Sequence, residues 1–268
     1  MASWTPPPGK TVSADPPLVI QSPLLQHWVP GVAHGFSGAL AKSAGVPFNP
    51  PAQRLVAGAL GIPDPPVLTL EQVHGAAVVN WALENPRPQP DPQADGVLAW
   101  PRKSSGQRGF TAVRTADCVP ILAACRATSS FAAVHAGWRG AAANILPTLL
   151  RRWKHLGSPP GELRLALGPS IGPCCFEVQE DCLSQFPSRN LVNNVRNQGN
   201  SRFLDLPGVL YAQARDAGLA QNQIEILRVC TCCKTNPEGH HPYASHRRCT
   251  RQGVENPAFN ASFIGWAG

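Results

Sequence analysis

The chain has 268 residues, enough to bury a core of its own, and is 43% hydrophobic but only 15% charged, against about 25% charged in an average globular protein. Disorder along the whole chain is thereby excluded, and the 24 glycines and 29 prolines, roughly a fifth of the residues, fall short of a low-complexity composition. The formal charge of +7 is carried mostly by arginines, which are scattered apart from short groups such as Arg151, Arg152, Lys154 and Arg247, Arg248, so no phosphate-tracking stripe exists and nucleic acid is not an expected partner.

Residues 1–17 are proline-rich and weakly patterned, and read as a lead-in without assigned structure. Met1 to Lys10 has no apolar core behind a basic start, and no apolar run approaches the roughly 18 residues of a membrane span. The expectation is a soluble cytoplasmic protein with no membrane partner, monomeric or weakly dimeric, with one domain over residues 18–268. Short apolar runs then predict strands at Leu18–Ile20, Val67–Leu70, Ala76–Val79, Gly96–Trp100, Phe110–Val113, Val119–Ala124 and Phe131–Val134. Alternation adds strands at Leu163–Leu167 and around Ile224 and Ile226. Helices are expected over Ala52–Leu60, stopped by Gly61 and Pro63, and over Ala141–His155, where Ile145, Leu149 and Trp153 share a face. Two further helices are expected over Val178–Phe186 and Val209–Ala217, and Asn85–Ala94 reads as a surface loop. The sum is a mixed α/β fold.

Nine cysteines is an odd count in a chain too long to depend on disulfide staples, so they read as thiols of a reducing compartment. Three loop settings carry candidate chemistry. His74 lies in a turn before Gly75, Cys118 sits at a strand edge beside Asp117, and His135 ends a buried strand just before Arg139 and a helix start. A helix N-terminus beside an arginine suits an anion. Two histidines and a cysteine at strand-end turns would give a three-ligand zinc set with an open position, which activates water near neutral pH. Their separations are too long for local geometry to guarantee that they meet, unlike CxxC or HExxH. A core thiol and two ordinary turn histidines stay open as the alternative.

Five motifs occur in order: Gln72-Val73-His74-Gly75, Ala94-Asp95-Gly96-Val97, Thr115-Ala116-Asp117-Cys118-Val119-Pro120, His135-Ala136-Gly137-Trp138-Arg139-Gly140 and Gly168-Pro169-Ser170-Ile171-Gly172. Together with Cys174-Cys175-Phe176-Glu177-Val178, Cys230-Thr231-Cys232-Cys233 and Ser245-His246-Arg247-Arg248, they resemble the laccase-domain family, also described as purine nucleoside phosphorylases or peptidoglycan-editing factors. The resemblance implies a single-domain layered α/β sandwich with mixed β-sheets, of cysteine-hydrolase-like fold, and a Zn2+ site at His74, Cys118 and His135, with Cu2+ as the alternative ion. It also implies phosphorolysis of purine nucleosides such as adenosine, inosine or methylthioadenosine, with phosphate as co-substrate, and deamination of adenosine. Peptidoglycan-precursor editing, copper-dependent polyphenol oxidation and a catalytically impaired metal- or nucleotide-binding protein are the competing readings. Eight histidines are few for a multicopper centre.

The expected catalytic set is His74, Cys118, His135 and Asp117, the last as a proton-transfer or ligand-orienting carboxylate, or else a structural one. Gln72, Arg139, Arg247 and Arg248 form the expected substrate- and phosphate-binding set; for Arg139 and for the Arg247, Arg248 pair the alternative is a solvated guanidinium. Cys230, Cys232 and Cys233 with His240, His241 and His246 offer the composition of a second zinc site, but Cys230 to Cys232 is not a CxxC spacing and no such site is expected. Cys125, Cys174, Cys175 and Cys182 read as small buried hydrophobes. The segment Gly38–Val46, His246 and Cys249 within Ser245–Cys249, and Phe259-Asn260 depart from the family pattern and put substrate preference in question.

Overall fold

The computed structural model describes residues 19–42, 47–101, 107–256 and 258–268. The lead-in 1–17 and the last part of the divergent segment, 43–46, lie outside them. In chain order the elements are β1 (Val19–Ile20), β2 (Val32–Ala41), α1 (Asn49–Leu60), β3 (Val67–Leu68), β4 (Val78–Ala82), β5 (Gly96–Trp100), β6 (Gly109–Thr115), β7 (Val119–Cys125) and β8 (Ser130–Ala136). They continue with α2 (Trp138–Ala142), α3 (Ile145–His155), β9 (Leu163–Leu167), β10 (Glu177–Val178), α4 (Glu180–Leu183), α5 (Ser188–Leu191), β11 (Val195–Gln198) and β12 (Ser201–Leu204). The last are α6 (Leu206–Asp216), β13 (Ile224–Ile226), α7 (His246–Arg251) and β14 (Ala258–Trp266).

Two mixed sheets dominate, a six-stranded one in the order β13-β9-β7-β8-β5-β4 and a five-stranded one in the order β1-β2-β14-β6-β3, with a small third sheet of β10-β12-β11. The period of two along each strand decides the layering. In β7, Val119, Ile121, Ala123 and Cys125 point to the side packed by Ile145, Leu149 and Trp153 of α3 and by Val209 and Leu210 of α6. Leu122 and Ala124 point the other way, into an inter-sheet core with Phe36, Val113 and Ile264. On the outer face of the five-stranded sheet, Phe110, Ala112, Ala261 and Phe263 pack beneath Ala52, Leu55 and Val56 of α1. The result is a four-layer α/β/β/α sandwich, the mixed-sheet architecture expected. Burial on both faces explains why β7 and β8 read as unbroken apolar runs.

Several boundaries differ for local reasons. The expected helix Ala141–His155 is two helices, because Asn144 takes a left-handed φ of 62° between α2 and α3. Helix α1 begins earlier than Ala52, since Pro50 and Pro51 sit in its first turn, where no N–H donor is needed. Val178, Cys182 and Phe186 do share one core, but through a short strand, the one-turn helix α4 and a bend rather than one continuous helix. The expected helix Val209–Ala217 begins three residues earlier, where Asp205 caps it by accepting from the Gly208 N–H at 3.0 Å.

Candidate metal centre and cavity

The site forms where three neighbouring strands of the six-stranded sheet share one edge. Asp95 lies just before β5, Cys118 just before β7, and His135 is next to last in β8. Antiparallel pairing of β5 and β7 with β8 brings these ends together, and His74 reaches them from the loop between β3 and β4. One donor atom from each of His74, Cys118 and His135 lies within 4.8 Å of the others, and the two imidazoles meet edge to face at 4.7 Å between ring centroids. The backbone bends sharply to achieve this: His74 and Asp117 adopt positive φ of 60° and 91°, the left-handed region that non-glycine residues enter only when surroundings impose it.

Asp95 is the organiser, and it is a residue to which the sequence assigned no role. It is fully buried. Its Oδ1 pairs with His135 Nδ1 at 2.8 Å and accepts from the His74 N–H at 3.0 Å, while Oδ2 accepts from the Gly75 N–H at 2.6 Å. Burial pushes the Asp95 carboxyl up, but the His135 and backbone N–H bonds outweigh it and hold the pKa below its ordinary value. The sequence signal for it is an acid at the mouth of a wholly apolar strand. With Nδ1 of His135 held by a carboxylate, Nε2 is the ring nitrogen left to coordinate. Burial alone would keep His135 neutral, yet hydrogen bonds to Asp95 and Cys118 raise its pKa to about 9. Cys118 behaves in the opposite sense: burial raises the thiol, but hydrogen bonding to His135 and His74 brings it down to about 7, which favours the thiolate a metal requires.

Two observations test whether these residues fit an ion. The donor set of two imidazoles and one thiolate is that of an open zinc site, with the Asp95 carboxylate holding the far nitrogen of the His135 ring. Beside it stands Gly137, where a Cβ would come within 3.1 Å of Cys118 Sγ and 3.4 Å of His74 Cδ2, so the space next to the donors depends on a residue without a side chain.

The centre lies at the wall of a cavity of about 1010 Å³. Aromatic faces line it at Phe48, Phe176 and Phe259, and cations at Arg114, Arg139 and Arg247. The exposed Arg139 guanidinium stacks 4.3 Å from the Trp138 ring. The helix it opens, α2, has only five residues, so the expected helix-end anion site reduces to Arg139 itself. Arg247 faces the cavity while its guanidinium donates to the carbonyls of Cys175 and Glu177 at 3.2 and 3.0 Å. Arg248 differs from the expectation: its guanidinium donates to the carbonyls of Thr231, Cys232 and Tyr243, a structural employment in place of an anion contact. Asp117 also lines the cavity and has both oxygens engaged, by Thr231 Oγ1 at 2.7 Å and the Arg247 N–H at 2.6 Å. Gln72 lines the cavity and clasps the backbone of Arg114 in both directions, at 2.8 and 2.9 Å. Asn260 is buried and pairs with both backbone groups of Ala244. Arg114 went unnoticed in the sequence, where nothing separates it from the other scattered arginines.

The cysteine-rich tail also departs from expectation. Cys174, Cys175, Cys230 and Cys233 converge, with all four Sγ within 4.8 Å of one another. Cys174 and Cys233 are exposed, so neither is a buried hydrophobe. Cys232 packs instead against Ile171 and Cys175, and His240, His241 and His246 are not in the cluster.

A four-layer α/β/β/α sandwich with a His-Cys-His corner on a cationic, aromatic cavity defines a laccase-like protein. The profile described as multi-copper polyphenol oxidoreductase laccase matches residues 51–255, and the chain belongs to that family. A protein named purine nucleoside phosphorylase from Xylella fastidiosa (strain Temecula1) is 30% identical over 262 residues, covering 94% of this chain and 93% of its own length. Relatives of the same named activity from Streptomyces coelicolor and Bacteroides thetaiotaomicron are 30% and 33% identical, over 62% and 44% of this chain. Those two alignments span 66% and 46% of the relatives' lengths. Among solved structures, the hypothetical protein YfiH of Bacillus licheniformis has the same fold, with a TM-score of 0.73 at 23% identity over 94% of this chain and 97% of that one.

Proposed function

We propose that this chain is a zinc-dependent purine nucleoside phosphorylase of the cytoplasm, cleaving adenosine, inosine or methylthioadenosine with phosphate and able to deaminate adenosine. The observation that carries this reading is the convergence of His74, Cys118 and His135, the two histidines held by Asp95, at the wall of a cavity that also presents aromatic faces and three guanidinium groups. His74, Cys118 and His135 would hold the ion, which when bound supplies a Lewis acid at the reacting centre. Asp95 fixes the tautomer and orientation of His135. Phe176 and Phe259 offer flat apolar surfaces to a purine, while Arg139 and Arg114 present guanidinium forks suited to phosphate. Asp117 keeps Arg247 in the wall, and Gln72 does the same for the Arg114 backbone. Support for the activity comes from the relatives named purine nucleoside phosphorylase.

Zinc is favoured over copper by composition. A histidine-histidine-cysteine set with an open position is a zinc donor set, and the eight histidines of the chain are few for a multicopper centre. One observation favours a second reading, the editing of a nucleotide-linked cell-wall precursor. The cavity stands at the upper end of the roughly 300–1,000 Å³ of drug-sized sites, leaving room beyond a nucleoside. Adenosine turnover by the zinc-loaded chain, with and without phosphate, separates the two. Adenine release that requires phosphate and disappears in His135→Ala is the expected result. Zinc-loaded protein inert toward every nucleoside would remove the phosphorylase reading.

A further inference from the structure

We propose that Cys174, Cys175, Cys230 and Cys233 form a second metal site, a closed tetrathiolate for one zinc ion that is structural rather than catalytic. Tetrahedral zinc with bonds of about 2.3 Å to sulfur sets its four sulfurs about 3.8 Å apart. All four Sγ lie within 4.8 Å of one another, and Cys174 and Cys233 are 3.6 Å apart. That space admits a single ion. Cys230 and Cys233 have the C-x2-C spacing of zinc ribbons and knuckles, a spacing masked in the sequence by the intervening Cys232, which faces the core.

The backbone is built for this arrangement. Cys230–Cys233 occupy a turn closed by Lys234 N–H to the Cys230 carbonyl at 3.0 Å, and Cys174 and Cys175 occupy another, closed by the N–H groups of Cys175 and Phe176 on the Gly172 carbonyl at 2.9 Å. An isolated parallel bridge between Ser170 and Cys230 locks the two turns together. The Gly172 N–H donates to Cys230 Sγ at 3.3 Å, a bond that orients the sulfur and steadies its charge when it ligates. Four thiolates on one dication carry an excess of negative charge, and the guanidiniums of Arg247 and Arg251 stand at the Cys175 carbonyl, 3.2 and 3.4 Å away. Binding would replace the thiol protons, which pass to solvent. Solvent exposure of Cys174 and Cys233 gives the ion its entry path. With four protein ligands no position stays open for substrate. The ion would instead staple the segment carrying Ile171 and Phe176, both in the cavity wall, to the loop whose Thr231 holds Asp117.

The test uses the full chain purified in reductant. Elemental analysis of the His74→Ala/His135→Ala variant should still find one zinc per chain, whereas Cys230→Ser/Cys233→Ser should lose one relative to wild type. Cobalt loading of the histidine variant should give the intense thiolate-to-metal absorption of a tetrahedral sulfur site. Wild-type protein gives a measure that needs no variant: Cys174 and Cys233 should resist alkylation, read by peptide mass spectrometry, until a chelator is added. Equal alkylation with and without chelator, or unchanged zinc in the cysteine variant, would overturn the proposal. The phosphorylase reading is untouched by any of these results, because its own metal is counted separately in the cysteine variant.

Discussion

Two groups of metal-competent side chains lie in the same molecule and differ in almost every physical respect. The His74, Cys118, His135 group has mixed donors, is oriented by a buried carboxylate and opens on a cavity. The four-cysteine group has identical donors, is organised by two backbone turns and is closed by its own ligands. An open set suits chemistry and a closed one suits mechanical support, so the two should respond differently to the same perturbations. Asp117 joins them, since it precedes Cys118 in the chain and accepts from Thr231, which precedes Cys232 in the other loop.

The largest effect that would sharpen this contrast is loss of an open-site ligand. Cys118→Ala should reduce nucleoside turnover to background and zinc by one per chain, with the melting temperature of the closed site's loop region preserved; retained turnover would show that the chemistry lies elsewhere. Next in size is a control outside both groups. Burial lowers the His34 pKa to about 4, with the ring accepting from the Ser22 N–H. The unfolded chain takes up this proton below about 6.5 while the folded chain refuses it until about 4, so stability falls as pH drops between these values, by about 3 kcal/mol in all. Urea unfolding across that range should show His34→Gln to be flatter than wild type; identical slopes would remove His34 as the cause.

Asp95→Asn comes third. It keeps shape but loses the charge that orients His135, and should weaken zinc affinity or turnover by about 10–100-fold while leaving the cysteine-bound zinc in place, as competition with a graded chelator would reveal. The smallest effect probes the connection. Asp117→Asn sets an amide where a carboxylate accepts two donors, at a cost of about 1–3 kcal/mol. Denaturant midpoints with each metal group intact or removed should show non-additive coupling to both. Strict additivity would mean that the two groups are mechanically independent.

Much of this was legible from residue order, and the rest was not, for identifiable reasons. Strands β5, β7, β8 and β9 stood out because they are short, apolar and bounded by turn residues. Two of the longest strands, β2 and β14, were missed. In β14, Asn260 and Ser262 sit among Phe259, Ala261, Phe263 and Ile264, and all six are buried, so polarity marks no solvent face. The three open-site donors could be singled out as loop residues at strand ends, but their meeting depends on strand order, which composition does not encode. Asp95 was hidden because a carboxylate looks like a surface residue until its three partners are known. Arg248 misled for the converse reason, an arginine pair resembling an anion site when one member serves backbone carbonyls. The closed cysteine group required a contact between segments 58 residues apart, as between Gly172 and Cys230, and no local pattern announces such a contact.

The pairing of β7 with β8 has a consequence for altering this molecule by insertion or deletion. His135 sits opposite Pro120, and Cys125 opposite Ser130, with the turn Arg126–Ser129 closing the hairpin. That turn lies about 20 Å from the metal corner, at roughly 3.4 Å for each strand residue. Sliding the hairpin by one step would rotate His135 from the inter-sheet layer toward the α3 side and away from Asp95, since side chains alternate faces. Extra residues accommodated within the turn should be silent, whereas a deletion that shifts the register should erase the centre from a distance without touching any ligand.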